Sequence, residues 1–274
     1  MIETRFLYQK LNFVKGELKE TWFLNPLERI KRNQVSVPKI KFCQERIKRN
    51  LVSFKFIINY PLSIINYPLS IMNTTLPITE IPPGYLNIMG YVDESEVNGP
   101  GVRAVVWVQG CKRECPGCFN PQSWPLEINQ LIGIDELAAK ILSNPHNQGV
   151  TFSGGEPFLQ AESLAQLAAN LKSCGLNVMS FTGYTLKELQ SENAPDGATK
   201  LLDQLDILID GPYTESLAIN SPDSPVSSRN QKVHIFNPEF EDKITWASDQ
   251  MEIHILKDGT RLITGFRGQM DFDN

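Results

Sequence analysis

Four short apolar runs, rich in β-branched residues, each stop at a glycine-bearing loop, and segments of helical pattern separate them. Val102–Gln109 (VRAVVWVQ), Val150–Phe152, Leu176–Phe181 and Leu205–Ile209 (LDILI) read as strands. Ile134–Leu142 reads as a helix with Asp135 and Glu136 in its first turn, where carboxylates favour the helix dipole. Leu159–Cys174 reads as a second, with Leu164, Leu167, Ala168 and Leu171 on one face and Gly175 as its stop. Leu186–Leu189 opens a third. Strand–helix alternation of this kind predicts an α/β fold with a parallel sheet. The tail, Gln250–Thr264, reads as a hairpin around a Lys-Asp-Gly turn.

The loops at the strand ends carry the functional signal. The first strand runs into Gly110-Cys111-Lys-Arg-Glu-Cys115-Pro-Gly-Cys118, the second into Ser153-Gly154-Gly155-Glu156-Pro157, the third into Thr182-Gly183-Tyr184, and the fourth into Asp210-Gly211-Pro212. Parallel sheets build their sites at the carboxyl ends of the strands. Four such loops in succession therefore describe one continuous site. The paired glycines let backbone come close to a ligand, and Glu156 supplies an anion suited to an ammonium group.

The chain has 5 cysteines, an odd number, and its start lacks the pattern of a secretory leader, so a disulfide framework is not expected. Three of them fall within eight residues as C-x3-C-x2-C. Soft thiolates in such a cluster select zinc, Cu(I) or iron–sulfur. A structural zinc site closes with four ligands; Cys174 and His146 are candidates for a fourth, without a local partner to support either. The spacing matches neither common ferredoxin pattern, each of which supplies four cysteines. A four-iron cluster on three cysteines leaves one iron open to a ligand. His146, His234 and His254 show no ligand spacing and read as structural, Trp107 as core, Cys174 as a buried thiol, and Arg103 as a cap on the sheet edge.

The first 71 residues are a different kind of polypeptide. They carry a net charge of +8, against −13 for residues 72–274. Their basic residues share no helical face, and they end in an undrifted tandem repeat, Ile58-Asn-Tyr-Pro-Leu-Ser-Ile64 and Ile65-Asn-Tyr-Pro-Leu-Ser-Ile71, directly before Met72. Two copies are fewer than the about three that a solenoid needs. A tandem repeat of nucleotides makes such a period readily, so residues 1–71 are expected to be translated upstream sequence or a non-core extension, with Met72 the natural start. The competing reading is a basic arm for an acidic partner. The acidic remainder disfavours nucleic-acid binding. No run reaches the roughly 18 apolar residues of a membrane span, so no membrane association and a cytoplasmic location are expected.

C-x3-C-x2-C followed by Gly-Gly-Glu-Pro resembles the radical S-adenosylmethionine superfamily. The wider pattern narrows the likeness. Asn98-Gly-Pro-Gly-Val-Arg103, Cys115-Pro-Gly-Cys118-Phe-Asn-Pro121, Thr182-Gly-Tyr-Thr185 and Asp206-Ile-Leu-Ile-Asp210-Gly-Pro-Tyr213, in this order, are similar to the activating enzymes of glycyl-radical proteins, above all the anaerobic ribonucleotide-reductase activating group. The likeness covers about residues 85–265. It implies an incomplete (β/α) barrel, which fits a body shorter than the roughly 250 residues of a full eight-unit barrel. It implies one [4Fe–4S] cluster on Cys111, Cys115 and Cys118, whose open iron takes S-adenosylmethionine. Cofactor contacts are implied at Gly117, Phe119 and Asn120, at Gly154, Gly155 and Glu156, and at Thr182 and Asp210. The implied partners are a glycyl-radical enzyme and reduced flavodoxin or ferredoxin as electron donor.

Two departures stand out. Gly117 precedes the third cysteine, where many radical enzymes carry an aromatic residue, and Phe119 follows it as in the activating group. The family's Gly-Ser-Ser-Asn-Gln segment reads here as Pro225-Val-Ser-Ser-Arg-Asn-Gln231, with Arg229 inserted. Two alternatives stand beside the activating enzyme: a small-molecule radical enzyme of the 7-carboxy-7-deazaguanine synthase kind, and a non-enzymatic zinc or iron–sulfur protein.

Overall fold

The structure is a computed structural model that describes residues 12–14, 17–19, 81–219, 224–241, 250–255 and 261–265. The tandem repeat, Met72 and Cys43 lie outside the described residues, as does the Lys-Asp-Gly turn expected in the tail.

Seven strands form one mixed sheet. In chain order they are β1 (Tyr85–Ser95), β2 (Arg103–Val108), β3 (Gln130–Gly133), β4 (Gly149–Gly154), β5 (Asn177–Phe181), β6 (Ile207–Asp210) and β7 (Lys232–Ile235). Their order across the sheet is β3-β1-β2-β4-β5-β6-β7. The four strands expected from the sequence are its centre: β2, β4, β5 and β6 lie parallel and in chain order. Antiparallel pairings extend the sheet on both sides, β1 against β2 and β3 against β1 on one, and β7 against β6 on the other.

The flanking strands carry weaker signals. β1 has a polar Asn87 and Gly90 inside its apolar run, and its pairing with β2 shifts register at Ile88/Gly90 and Val92/Ser95. Such bulges break the two-residue alternation by which a strand is read. β7 is four residues of mixed polarity, KVHI.

Four helices of the described residues pack on one face. α1 (Ile134–Ser143) buries Ile134, Leu137, Ala138, Ile141 and Leu142, the stripe of a helix resting on a sheet. α2 (Ala161–Ser173) buries Leu164, Leu167, Ala168 and Leu171. It ends in a Schellman turn: Gly175, at a φ of 90°, donates to Lys172 and Leu176 donates to Leu171, as the glycine stop predicts. α3 (Leu186–Leu189) is a single turn, and α4 (Ala198–Leu202) was not expected from the sequence. These helices meet Ala104, Val106, Val108, Val150, Phe152 and Val178 in the main core. The opposite face carries two smaller clusters, Val92 with Val105 and Trp107, and Met179 with Ile207 and Ile209. Trp107 is core, as expected.

The lower end of that second face is closed by Arg103, whose side chain is completely buried. It donates from Nε to Thr151 Oγ1 (2.7 Å), from Nη1 to the Pro100 carbonyl (2.6 Å), and from Nη2 to the Val150 carbonyl (2.9 Å) and Asn177 Oδ1 (3.0 Å). Thr151 in turn donates to the Asn98 carbonyl. Burial pulls the Arg103 pKa down to about 9, the charge of Asp206 working against that, so the cation survives at neutral pH. The Asn98–Arg103 segment is thus a plug at the amino ends of the parallel strands.

Two further strands, β8 (Met251–Ile255) and β9 (Arg261–Gly265), pair antiparallel as a separate sheet. They attach to the segment before the plug: Glu96 donates its amide to Glu252 Oε1 (2.8 Å) and Thr264 its hydroxyl to Asn98 Oδ1 (2.8 Å). Asn12–Val14 and Glu17–Lys19 form an antiparallel pair of their own. Among the described residues no helix is long and apolar enough to cross a membrane.

Arg103→Met removes all four hydrogen bonds and leaves buried acceptors unpaired. It is expected to cost about 2–4 kcal/mol of folding stability, read as a lower urea midpoint with the slope unchanged.

Candidate functional site

The carboxyl ends of β2 and β4 touch through backbone alone. Gly155 donates its amide to the Val108 carbonyl (2.8 Å) and Glu156 to the Gly110 carbonyl (2.8 Å). Gly154 has a φ of 99°, and a Cβ on it would stand 2.7 Å from Trp107 Cα; a Cβ on Gly155 would strike the Gly110 carbonyl oxygen. The close approach that the two glycines permit is therefore to the neighbouring strand. This contact brings the Gly-Gly-Glu loop against the root of the cysteine loop.

Buried amides hold that root from below. Gln160 Nε2 donates to the carbonyls of Asn87 (2.8 Å) and Gln109 (3.0 Å), and its Oε1 accepts from the Asn87 amide. Asn87 Oδ1 accepts from the amides of Asn129 and Gln130, and Gln109 donates to the Pro125 carbonyl. The far arm of the loop is tied back by Gly110 to Ser123 (2.7 Å) and Cys111 to Trp124 (3.1 Å), and Ser123 Oγ donates to the Asn120 carbonyl (2.6 Å). Nothing in the sequence signals this network, because each amide looks like an ordinary polar residue until the sheet brings β1 beside β2.

Cys111, Cys115 and Cys118 lie at the rim, half-buried, each a free thiol. The Cys118 amide donates to Cys115 (3.1 Å), and Cys118 Sγ accepts from the Asn120 amide (3.4 Å). Among the described residues no three acidic, histidine or cysteine side chains close around a point as a finished metal site. The loop presents its three thiols open, and the donor set is one that soft metals and iron–sulfur clusters take. Burial pushes the Cys111 and Cys115 thiols up, so metal binding here displaces protons. The two candidates for a fourth ligand are elsewhere. Cys174 caps the end of α2, ahead of β5, and His146 lies before β4 with Nδ1 3.3 Å from Glu94. Both are at the amino ends of the strands.

Each of the next three strand-end loops reaches the cysteine loop. Glu156, from the β4 loop, is buried and accepts three hydrogen bonds: from the Phe158 amide (3.0 Å) and Thr182 Oγ1 (2.8 Å) at Oε1, and from the Gly183 amide (2.8 Å) at Oε2. Burial raises its pKa, while these donors and the Arg113 cation oppose the rise. The carboxylate thereby fastens the β4 loop to the β5 loop, and Oε2 keeps capacity for one further donor. Thr182 is part of this fastening. From the β6 loop, Tyr213 stacks at a tilt on Phe119, with centroids 5.7 Å apart, and Gly117 packs so that a Cβ would meet Glu215 and Tyr213 at 3.0–3.2 Å. Phe119 is 48% exposed at the mouth.

Asp210 is buried at the end of β6. Its Oδ2 accepts from the Leu186 amide (2.6 Å) and lies 3.0 Å from His234 Nε2, so it locks the start of α3 and β7 to the end of β6. The segment with the inserted Arg229 folds beneath the β6 loop. Asn230 Nδ2 donates to the Pro212 carbonyl (2.7 Å), Gln231 Nε2 to the Gly211 carbonyl (3.0 Å), and the Thr214 amide to Ser228 Oγ (3.2 Å). Arg229 itself points to solvent. The four loops thus meet as expected. Arg113, Tyr213 and the buried amides join them without having been singled out in the sequence.

Residues 97–234 match the 4Fe-4S single cluster domain family. The anaerobic ribonucleoside-triphosphate reductase-activating protein of Salmonella typhimurium is 33% identical over 131 residues, which are 44% of this chain and 80% of that one. The protein of the same name from Vibrio cholerae is 31% identical over 160 residues, 55% of this chain and 99% of that one. Its counterpart from Enterobacteria phage T4 is 32% identical over 128 residues, 44% and 77% of the two chains. The domain spans the cysteine loop and all four parallel strands, and these relatives align over most of their own length: the chain belongs to the family of anaerobic ribonucleoside-triphosphate reductase-activating proteins.

Proposed function

We propose that this chain is a radical S-adenosylmethionine activating enzyme that installs a glycyl radical on an anaerobic ribonucleoside-triphosphate reductase. On this reading Cys111, Cys115 and Cys118 hold one [4Fe–4S] cluster, and the sheet is the incomplete barrel of the superfamily. The observation that carries it is the meeting of three half-exposed free thiols with the β4, β5 and β6 loops at one end of the sheet. The names of the relatives support an anaerobic ribonucleoside-triphosphate reductase as the partner.

Cys111, Cys115 and Cys118 would hold such a cluster, which would supply one-electron reduction, with flavodoxin or ferredoxin as the donor, for S-adenosylmethionine-based radical chemistry on the partner's glycine. The chain's own residues orient and shield. The Glu156 carboxylate, with capacity left on Oε2, offers the cofactor's ammonium group a fixed anion. The Gly154–Glu156 and Thr182–Gly183 backbones form the wall beside it, and Phe119 with Tyr213 supplies an apolar rim. Asp210 acts at a remove, by holding α3 and the β6 loop. Exposed Phe119 at an open rim suits a macromolecular substrate, which itself excludes water on docking.

Changing any one of Cys111, Cys115 or Cys118 to Ser replaces a soft thiolate by a poor iron ligand. Each single variant is expected to lose the broad visible absorbance after anaerobic reconstitution, whereas Cys43→Ser and Cys174→Ser retain it. Loss in Cys174→Ser would contradict the three-ligand site.

Glu156→Ala leaves three buried donors without an acceptor, at about 1–3 kcal/mol of stability. It is expected to keep the cluster absorbance and to bind S-adenosylmethionine at least tenfold more weakly by calorimetry, on the order of 1.4 kcal/mol. Unchanged affinity would remove Glu156 from the site.

The reaction is tested by reducing the loaded protein with S-adenosylmethionine and adding the anaerobic reductase. A doublet of a glycyl radical in the electron paramagnetic resonance spectrum is the expected result. We propose that residues 72–274 suffice, so a chain begun at Met72 gives the same doublet. Conversion of a small heterocycle with no glycyl radical would replace this reading.

A further inference from the structure

Arg113 stands between Cys111 and Cys115 and is bound to another element. Its guanidinium carbon lies 4.3 Å from the centroid of the Tyr184 ring, and Nη2 lies 3.0 Å from Glu188 Oε1. Among the described residues this is the ion pair that ties the 111–118 loop to the rest of the protein. Its anchor is built in advance. Glu188 Oε2 accepts from the Thr185 amide (2.6 Å) and the Thr185 hydroxyl (2.8 Å), and Thr185 Oγ1 accepts from the Glu188 amide, a capping box that fixes the carboxylate and leaves Oε1 facing Arg113. Space is reserved as well. A Cβ on Gly183 would stand 3.0 Å from Arg113 Cγ, so a side chain there would press on the arginine stem. Directly after Arg113 the backbone reverses through Glu114 at a φ of 44°, a left-handed conformation that a non-glycine residue holds only when its neighbours are restrained.

We propose that Arg113 is a positioning residue, a clasp that holds the arm bearing Cys111 and Cys115 against the Gly183–Glu188 turn and keeps a cation beside the thiolates. The proposal rests on the reading of this loop as the cluster loop. The clasp works in the absence of any metal, since both of its partners are protein groups. Each contact alone is modest: a half-exposed ion pair and a half-exposed cation–π contact. Together they shift the opening of the loop about fivefold to tenfold. The charge has a second consequence. Arg113 stands two residues from Cys111 and two from Cys115, so its charge lies in the arm that bears both thiols. Removing the cation makes a site of three thiolates harder to reduce, whatever happens to the packing.

The test compares the full-length wild type with Arg113→Lys and Arg113→Gln. In the metal-free proteins, hydrogen exchange is followed at the amides of Cys111 and Cys118 in the loop and of Gly183 across the clasp. Exchange in Arg113→Gln is expected to be about fivefold to tenfold faster, with Arg113→Lys between it and wild type, because lysine keeps the ion pair and loses the planar stacking. A double variant with Glu188→Gln is expected to add less than the sum of the two single effects. In the loaded proteins the midpoint potential, followed by electron paramagnetic resonance, is expected to fall in Arg113→Gln and to return toward wild type in Arg113→Lys, which a purely structural role would not produce. Unchanged exchange in Arg113→Gln, strict additivity with Glu188→Gln, or a lysine variant indistinguishable from glutamine would overturn the clasp. A wild type that takes up no cluster would defeat the reading of the site, while the exchange in the metal-free proteins still decides for or against the clasp.

Discussion

The contact between the ends of β2 and β4 sets the geometry of the whole site. Gly154 and Gly155 bring one strand's backbone onto the other at van der Waals distance, and the amides of Gly155 and Glu156 are used to bind Val108 and Gly110. Any side chain there meets main-chain atoms, which cannot move aside as a flexible side chain can. With the two strand ends in register, the cysteine loop leaves β2 in one direction only. Glu156 then enters a buried position where a carboxylate is tolerated because three donors meet it. Those donors come from its own loop and from the β5 loop, so a single side chain fixes two of the four walls.

The two ends of the sheet divide the labour between stability and chemistry. At the amino ends, Arg103, Thr151, Asn98 and Pro100 form a closed hydrogen-bonded plug, with β8 and β9 attached beside it. At the carboxyl ends, free thiols and an exposed Phe119 face outward, and the buried Glu156 carboxylate joins the β4 and β5 loops. The Asn98-Gly-Pro-Gly-Val-Arg103 segment that marks the family lies at the closed end. That segment thus serves the fold, while the cysteine and Gly-Gly-Glu loops lie at the open end.

Much of this was legible in the chain. The four parallel strands and two main helices follow from β-branched runs and from apolar residues at helical spacing, because each is buried on a face it fills almost alone. β1 and β7 were not, since an edge or bulged strand buries only part of itself and mixes polar residues into the pattern. In the site, the residue types of the four loops pointed to their common end. The partners of individual side chains did not: Asp210 accepts from the Leu186 amide and lies beside His234, which no local pattern announces.

Residue type and spacing specify the chemistry available and its order along the chain: three thiols at C-x3-C-x2-C, the paired glycines with Glu156, and a glycine loop after each central strand. These are local properties, and a thiol is a soft ligand wherever it stands. Folding in three dimensions settles which groups are spent on holding the protein together and which remain free. Glu156 is largely used by Phe158, Thr182 and Gly183, and Arg113 is drawn to Tyr184 and, across 75 positions of sequence, to Glu188. Those assignments depend on distances between loops, which strand pairing sets and no stretch of neighbouring residues encodes.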